Sequence, residues 1–149
     1  MRRGPVPART LALRHPLLLL VILLPVLSAC VFGEASGFAD QAVERFHSQF
    51  EAEQWSAMYL DADPQFRVAA SPIDWGALMA AVRRKLGPFR STSRTSVNVS
   101  STTSGTTVTQ VFDTTFDQGH ASEQFRWNIV GGRALLLAYN INSPTLITK

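Results

Sequence analysis

The chain has 149 residues, room for one ordinary domain of about 100–200 residues, and 46% of them are apolar, which argues against disorder. Its formal net charge is +3, but residues 1–29 hold Arg2, Arg3, Arg9 and Arg14 and no acid. The remainder, with ten Lys/Arg and eleven Asp/Glu, therefore carries −1, which excludes nucleic-acid binding driven by net charge, and the single cysteine excludes an internal disulfide or a zinc site built on several cysteines.

The leader comes first. Residues 1–15 are basic and free of acids, and Leu17 to Leu24 form an unbroken apolar run that Pro25 interrupts. This is the pattern of a signal peptide, a basic n-region before a short h-region. The run is far shorter than the ~20 residues a membrane-spanning helix needs. Leu27-Ser28-Ala29-Cys30 resembles the lipobox of bacterial lipoproteins. That resemblance implies a diacylglycerol thioether on Cys30, cleavage just before it and a lipid anchor in the membrane. Only a thiol forms the thioether, and small residues let the backbone enter the peptidase. The alternative is an ordinary secretory signal with an incidental cysteine. By the sorting rule of such lipoproteins, Val31 in place of Asp implies the outer membrane, facing the periplasm, rather than the inner membrane. The expected division is therefore a signal peptide at 1–29, a lipidated tether at 30–37 containing Gly33 and Gly37, and one domain at 38–149.

Within the domain, Phe38, Ala42, Phe46 and Phe50 recur every four residues and predict a helix. Trp55, Met58 and Tyr59 extend it or form a short second helix, which Asp61-Ala62-Asp63-Pro64 should end. Ser71-Pro72-Ile73-Asp74 carries the signals of a helix start, and Trp75, Leu78, Met79, Val82 and Leu86 make its apolar stripe. Gly87-Pro88 stops that helix, predicted over 72–86. The period then changes to two. Val97 and Val99 alternate with polar residues. Val108, Phe112, Thr114 and Phe116 share a face interrupted by Gln110. Ala121, Glu123, Phe125, Trp127 and Ile129 share another. Asp117–His120 and Gly131-Gly132 are predicted turns, and residues 133–141 the last strand. Helices followed by an antiparallel meander predict an α+β fold, with helix 72–86 on the 108–141 sheet and Phe46, Trp75, Leu78, Val82, Phe112, Phe125 and Trp127 buried.

The order of several segments carries a further resemblance. These are Trp75…Leu86-Gly87, Arg90-Ser91-Thr92-Ser93-Arg94, Val111–Phe116, Ala121-Ser122-Glu123 and Ala138-Tyr139-Asn140-Ile141. In this order they resemble an uncharacterised family of bacterial envelope proteins, domain of unknown function 4019. Leu135–Tyr139 departs from the turn, aromatic and Gly-Tyr of that family's last strand. The family implies no activity. The predicted architecture also resembles the cystatin-like and NTF2-like folds, a fold analogy that assigns no chemistry.

Candidate chemistry is sparse. His47 and Glu51, four apart, read as a surface helix pair rather than metal ligands. Asp113, Asp117, His120 and Glu123 gather around a predicted hairpin turn and could make a loose metal or acid–base site, but a solvated turn accounts for them. The sequence has no Gly-x-Ser-x-Gly elbow and no phosphate-binding glycine loop. Arg83, Arg84, Lys85, Arg90 and Arg94 form a candidate basic patch for anionic lipid or an acidic partner, or else a solvated helix terminus. Some of the Phe and Trp residues could line a pocket between helices and sheet. The expected role is a non-catalytic binding or accessory module of the cell envelope, without metal or cofactor. Its partner would be an envelope protein or a small apolar ligand. A small isomerase- or hydrolase-type enzyme and a purely structural component are the alternatives.

Overall fold

The change of period near Pro88 is a change of architecture. The computed structural model describes the backbone of residues 16–148 and the side chains of residues 33–147. Contacts divide the chain into two units, Met1–Val31 and Phe32–Lys149. The described part of the first, residues 16–31, is helical. The basic n-region and the side chain of Cys30 lie outside the described residues.

Helix α1 spans Pro16–Glu51. The expected tether is corrected here: residues 33–37 are helical, and Ala35 is only 4% exposed. The apolar stripe starts at Ala35 and continues through Ala39, Ala42, Val43, Phe46 and Phe50, all buried. Gly33 and Gly37 face open space, and the roughly 1 kcal/mol that each glycine costs a helix is offset by the burial of the stripe beside them. Helix α2 is Trp55–Leu60 and α3 is Pro64–Ala69. Pro64, read as a terminator, is instead the first residue of α3, where its missing N–H costs nothing. Asp63 caps α3 by accepting from the Gln65 N–H at 2.8 Å. Its other carboxylate oxygen accepts from Asn128 Nδ2 at 2.8 Å, and its own N–H donates to the Leu136 carbonyl, tying α3 to the sheet.

Helix α4 occupies Pro72–Leu86, as predicted, with the Ser71 hydroxyl accepting from the Asp74 N–H at 3.1 Å. Trp75, Met79, Val82 and Leu86 are buried. Leu78, expected in the core, is 41% exposed, because the α4 stripe runs through Met79 and leaves Leu78 on its flank.

Four strands follow: β1 (Phe89–Thr102), β2 (Gly105–Phe116), β3 (Gly119–Val130) and β4 (Arg133–Asn142), with α5 (Pro144–Thr148) last. They pair antiparallel in sequence order, which makes the fold α+β with a C-terminal meander. Residues 90–94 belong to β1, so the edge strand that Val97 and Val99 mark begins well before them, at Phe89. Gly131 and Gly132 have φ of 55° and 73°, the two left-handed positions of a tight hairpin turn. The expected turn at Asp117–His120 is shorter: Gly119 and His120 already belong to β3.

The helices cover one face of the sheet, where Val108, Phe112, Phe116, Phe125, Trp127 and Leu136 meet Phe46, Phe50, Trp75 and Met79. Phe125 lies stacked on Trp127 and edge-on to Phe46. Gln110, fully buried, is satisfied: it donates to Asp40 at 2.6 Å and accepts from Trp127 Nε1 at 3.2 Å. In β4 the register passes from Trp127↔Leu136 to Arg126↔Ala138, so Leu137 is an extra residue. Ala134 and Leu136 point inward before it, and Tyr139 and Ile141 pack on the core after it.

Candidate functional site

Two chargeable side chains sit inside the core. His47, on the inner stripe of α1, is 3% exposed, and Glu123, at an inward position of β3, is 1% exposed. His47 Nε2 and Glu123 Oε2 are 2.8 Å apart. The same oxygen accepts from the Thr114 hydroxyl at 2.5 Å, and Oε1 accepts from the Tyr139 hydroxyl at 2.6 Å. With hydroxyl donors on both oxygens, Glu123 acts throughout as an acceptor, which assigns the Nε2 proton to His47. Thr114 in turn lies 2.9 Å from the Thr92 hydroxyl. Since Thr114 gives its proton to Glu123, Thr92 is the donor in that bond. Burial, and then the charge and hydrogen bond of Glu123, hold the Tyr139 hydroxyl well above the usual tyrosine range.

The imidazole lies parallel to the Phe89 ring at 4.1 Å and meets Phe46 and Phe125 edge-on. Its outer side borders a groove of about 340 Å3 between α1 and the start of β1. Val43 and Phe89 supply apolar walls, and Glu44, Ser48, Glu51 and Thr92 complete the lining. Five of these seven residues come from one stripe of α1, at 43, 44, 47, 48 and 51, a helical spacing that puts them side by side. Glu51 holds the lower end together by accepting from Arg83 at 2.9 Å and from the Phe89 N–H at 2.7 Å.

The surface pairing expected for His47 is therefore corrected. His47 turns inward to Glu123, and Glu51 turns to Arg83. The group Asp113, Asp117, His120 and Glu123 is also divided. Glu123 faces the core. Asp113 and His120 are exposed and border an open depression of about 660 Å3 with Ser122 and Asn142. His120 Nδ1 lies 3.1 Å from the Thr115 hydroxyl. Asp117 is engaged by the Arg90 guanidinium, a pairing that lowers the Asp117 pKa and raises that of Arg90.

The candidate basic patch is dispersed as well. Arg83 pairs with Glu51 and Glu53, Lys85 donates to the Leu146 carbonyl, Arg90 pairs with Asp117, and Arg94 pairs with Asp40. Arg84 is exposed and makes no ion pair among the described residues. Among the described residues, no three His, Cys, Asp or Glu side chains gather as metal ligands, and no helix is long and apolar enough to cross a membrane.

The His47–Glu123 pair had a sequence signal. Glu123 occupies an inward position in the alternation of Ala121, Phe125 and Trp127, and His47 sits beside Phe46 and four residues after Val43. A carboxylate on one apolar face and an imidazole on another need each other once those faces pack. No family model matches the chain, and no curated protein matches it.

Proposed function

We propose that this chain is a cell-envelope lipoprotein, similar to domain of unknown function 4019, whose domain is a non-catalytic binding module. Residues 1–29 direct export, and lipid on Cys30 holds the protein in the membrane, the outer membrane by its Val31. The domain meets its ligand or partner from the periplasm. The lipobox and the place of the single cysteine support the anchor. The observation that carries the binding role is the apolar-walled groove with His47 at its floor. The helix–sheet interior is occupied by aromatic rings, so a ligand would enter at this surface groove rather than between the layers.

One observation favours a second reading. Glu123 fixes the tautomer of His47, as the orienting acid of an acid–base pair would, so the groove could house a small isomerase or hydrolase. Among the described residues, no serine, threonine or cysteine hydroxyl or thiol is hydrogen-bonded to His47, which leaves that reading without a nucleophile.

Labelling cells with radioactive palmitate tests the anchor: the wild type should take up label and Cys30→Ser should not. Native mass spectrometry of the envelope-extracted protein tests the binding role. A bound species should accompany the wild type and be absent from Ser48→Trp, in which the indole fills the groove. Equal unliganded masses in both would defeat the binding reading. Turnover of a substrate that His47→Gln abolishes would replace it with the second.

A further inference from the structure

We propose that the groove over His47 takes a small amphipathic amine: a protonated nitrogen on a short hydrocarbon or single-ring body. The proposal rests on the reading of the domain as a binding module and adds the chemical class of its ligand.

The groove offers acceptors and apolar walls. In the neutral imidazole of His47 the Nε2 proton is committed to Glu123, which leaves Nδ1 as an acceptor. Nδ1 has no hydrogen-bond partner among the described residues, and it is not one of the enclosed unpartnered atoms, so it opens to the groove that His47 lines. Thr92 gives its proton to Thr114 and keeps only lone pairs for a ligand. The Glu44 carboxylate is exposed at the groove and forms no ion pair among the described residues. Glu51 adds a second carboxylate, which Arg83 largely compensates. What this set lacks is a donor with positive charge. An ammonium supplies both to Nδ1 and Glu44. Its hydrocarbon covers Val43 and Phe89. An anion of the same shape would approach two carboxylates, and a purely apolar molecule would shut Nδ1 away from water without a partner. A volume of about 340 Å3 lies at the small end of ligand sites, which run about 300–1,000 Å3, and so selects a compact ligand.

The test uses the full-length protein extracted in a non-ionic detergent and titrated calorimetrically at neutral pH. The probes are phenethylamine, phenethyl alcohol and phenylacetate, which share one ring and differ in the polar end. N-acetyl-lysine methylamide serves as the amine of a protein side chain. Phenethylamine should bind about tenfold or more tighter than the alcohol, with no measurable binding of phenylacetate. Ser48→Trp should abolish binding, and Glu44→Gln, a change at an exposed position, should weaken it about two- to fivefold, the range of an exposed ion pair. Binding of the alcohol or the acid as tight as the amine, lost in Ser48→Trp, overturns the amine and leaves the binding module standing. Amine binding that Ser48→Trp does not change places the site elsewhere and overturns the proposal. So does binding of the lysine derivative in preference to phenethylamine. Failure of every probe, alongside a bound species seen by native mass spectrometry, also refutes the amine without touching the wider reading.

Discussion

Removing the Glu123 side chain tests whether the buried network holds the helices to the sheet. Glu123 is on β3, and its donors come from α1 (His47), β2 (Thr114) and β4 (Tyr139), so one carboxylate joins four elements. Glu123→Ala leaves three donors without their acceptor. Each enclosed orphan costs about 1–3 kcal/mol, and breaking a buried pair by deleting one partner costs about 3–5 kcal/mol. For a domain of this size, 1 kcal/mol shifts the melting temperature by about 3–5 °C. Glu123→Ala should therefore melt about 10–20 °C below the wild type. Glu123→Gln keeps the volume and one acceptor oxygen, and its amide can donate to His47 if the imidazole changes tautomer. Its expected cost is smaller, about 1–2 kcal/mol. Thermal denaturation followed by far-UV circular dichroism orders the three proteins. The double variant His47→Phe with Glu123→Leu removes donor and acceptor together and should be less damaging than the two single changes added, by about 1.5–3 kcal/mol. A Glu123→Ala protein that melts within about two degrees of wild type, or singles that simply add, would refute the claim that this pair bears on stability.

Four further outcomes are expected. Phe46→Ala or Trp127→Ala should each cost about 3–5 kcal/mol, whereas Leu78→Ala, on the exposed flank of α4, should cost less than about 1 kcal/mol; equal losses in chemical denaturation would contradict the packing. Tyr139 titrates near 10 when unfolded and higher when folded, so the unfolded chain loses its proton first and stability falls as pH rises past about 10. Tyr139→Phe should flatten that part of the alkaline unfolding curve, and an unchanged curve would show that the hydroxyl is not enclosed. Gly87 has φ of 77° and ψ of −164°, a region open to glycine alone, and a Cβ there would lie 3.1 Å from that of Asp117, so Gly87→Ala should cost about 1–3 kcal/mol by urea titration. A protein whose leader is replaced by a soluble secretory signal, beginning at Val31, should melt with the detergent-extracted native form, because the lipid is proposed to locate the protein rather than fold it; a large drop would show that the anchor stabilises the domain.

Much of the fold was legible because two signals agreed wherever the chain changed state. The α4 helix had a cap, a proline at its first position, an apolar stripe and a glycine stop, and it appears with the predicted bounds. β3 was legible from strict alternation. β1 was legible only in its middle, where Val97 and Val99 alternate with polar residues; on either side this edge strand faces solvent and carries Ser and Thr where alternation would need apolar residues. The start of α1 was obscured by glycines, although Ala35 and Ala39 already continued the stripe of Phe46. At the site, a period-two reading placed Glu123 inward, yet proximity in sequence grouped it with the hairpin acids. His47 was paired with Glu51 by the same local habit. Neither assignment could stand once burial was considered, because only pairing across the layers satisfies both groups. The groove depends on the packing of α1 against β1, separated by more than thirty residues in the chain, and no local pattern encodes it.

The extra residue at Leu137 gives β4 a parity. Before it, even-numbered side chains face the helices; after it, odd-numbered ones do. Deleting one residue from a strand is usually discussed as lost length or a lost frame, but deleting Leu137 would disturb neither the pairing nor the phase. Leu136, Ala138 and Tyr139 would then follow as inward, outward and inward, opposite Trp127, Arg126 and Phe125 as they are now, and the phenol would stay beside Glu123. The frame error is the opposite event. A strand that kept Leu137 but paired it with Arg126 would set Ala138 opposite Phe125 and turn Tyr139 to the polar outer face that Ala138 and Asn140 border. The bulge thus works as punctuation that skips one letter, and the skip, more than the side chain skipped, keeps the buried carboxylate satisfied.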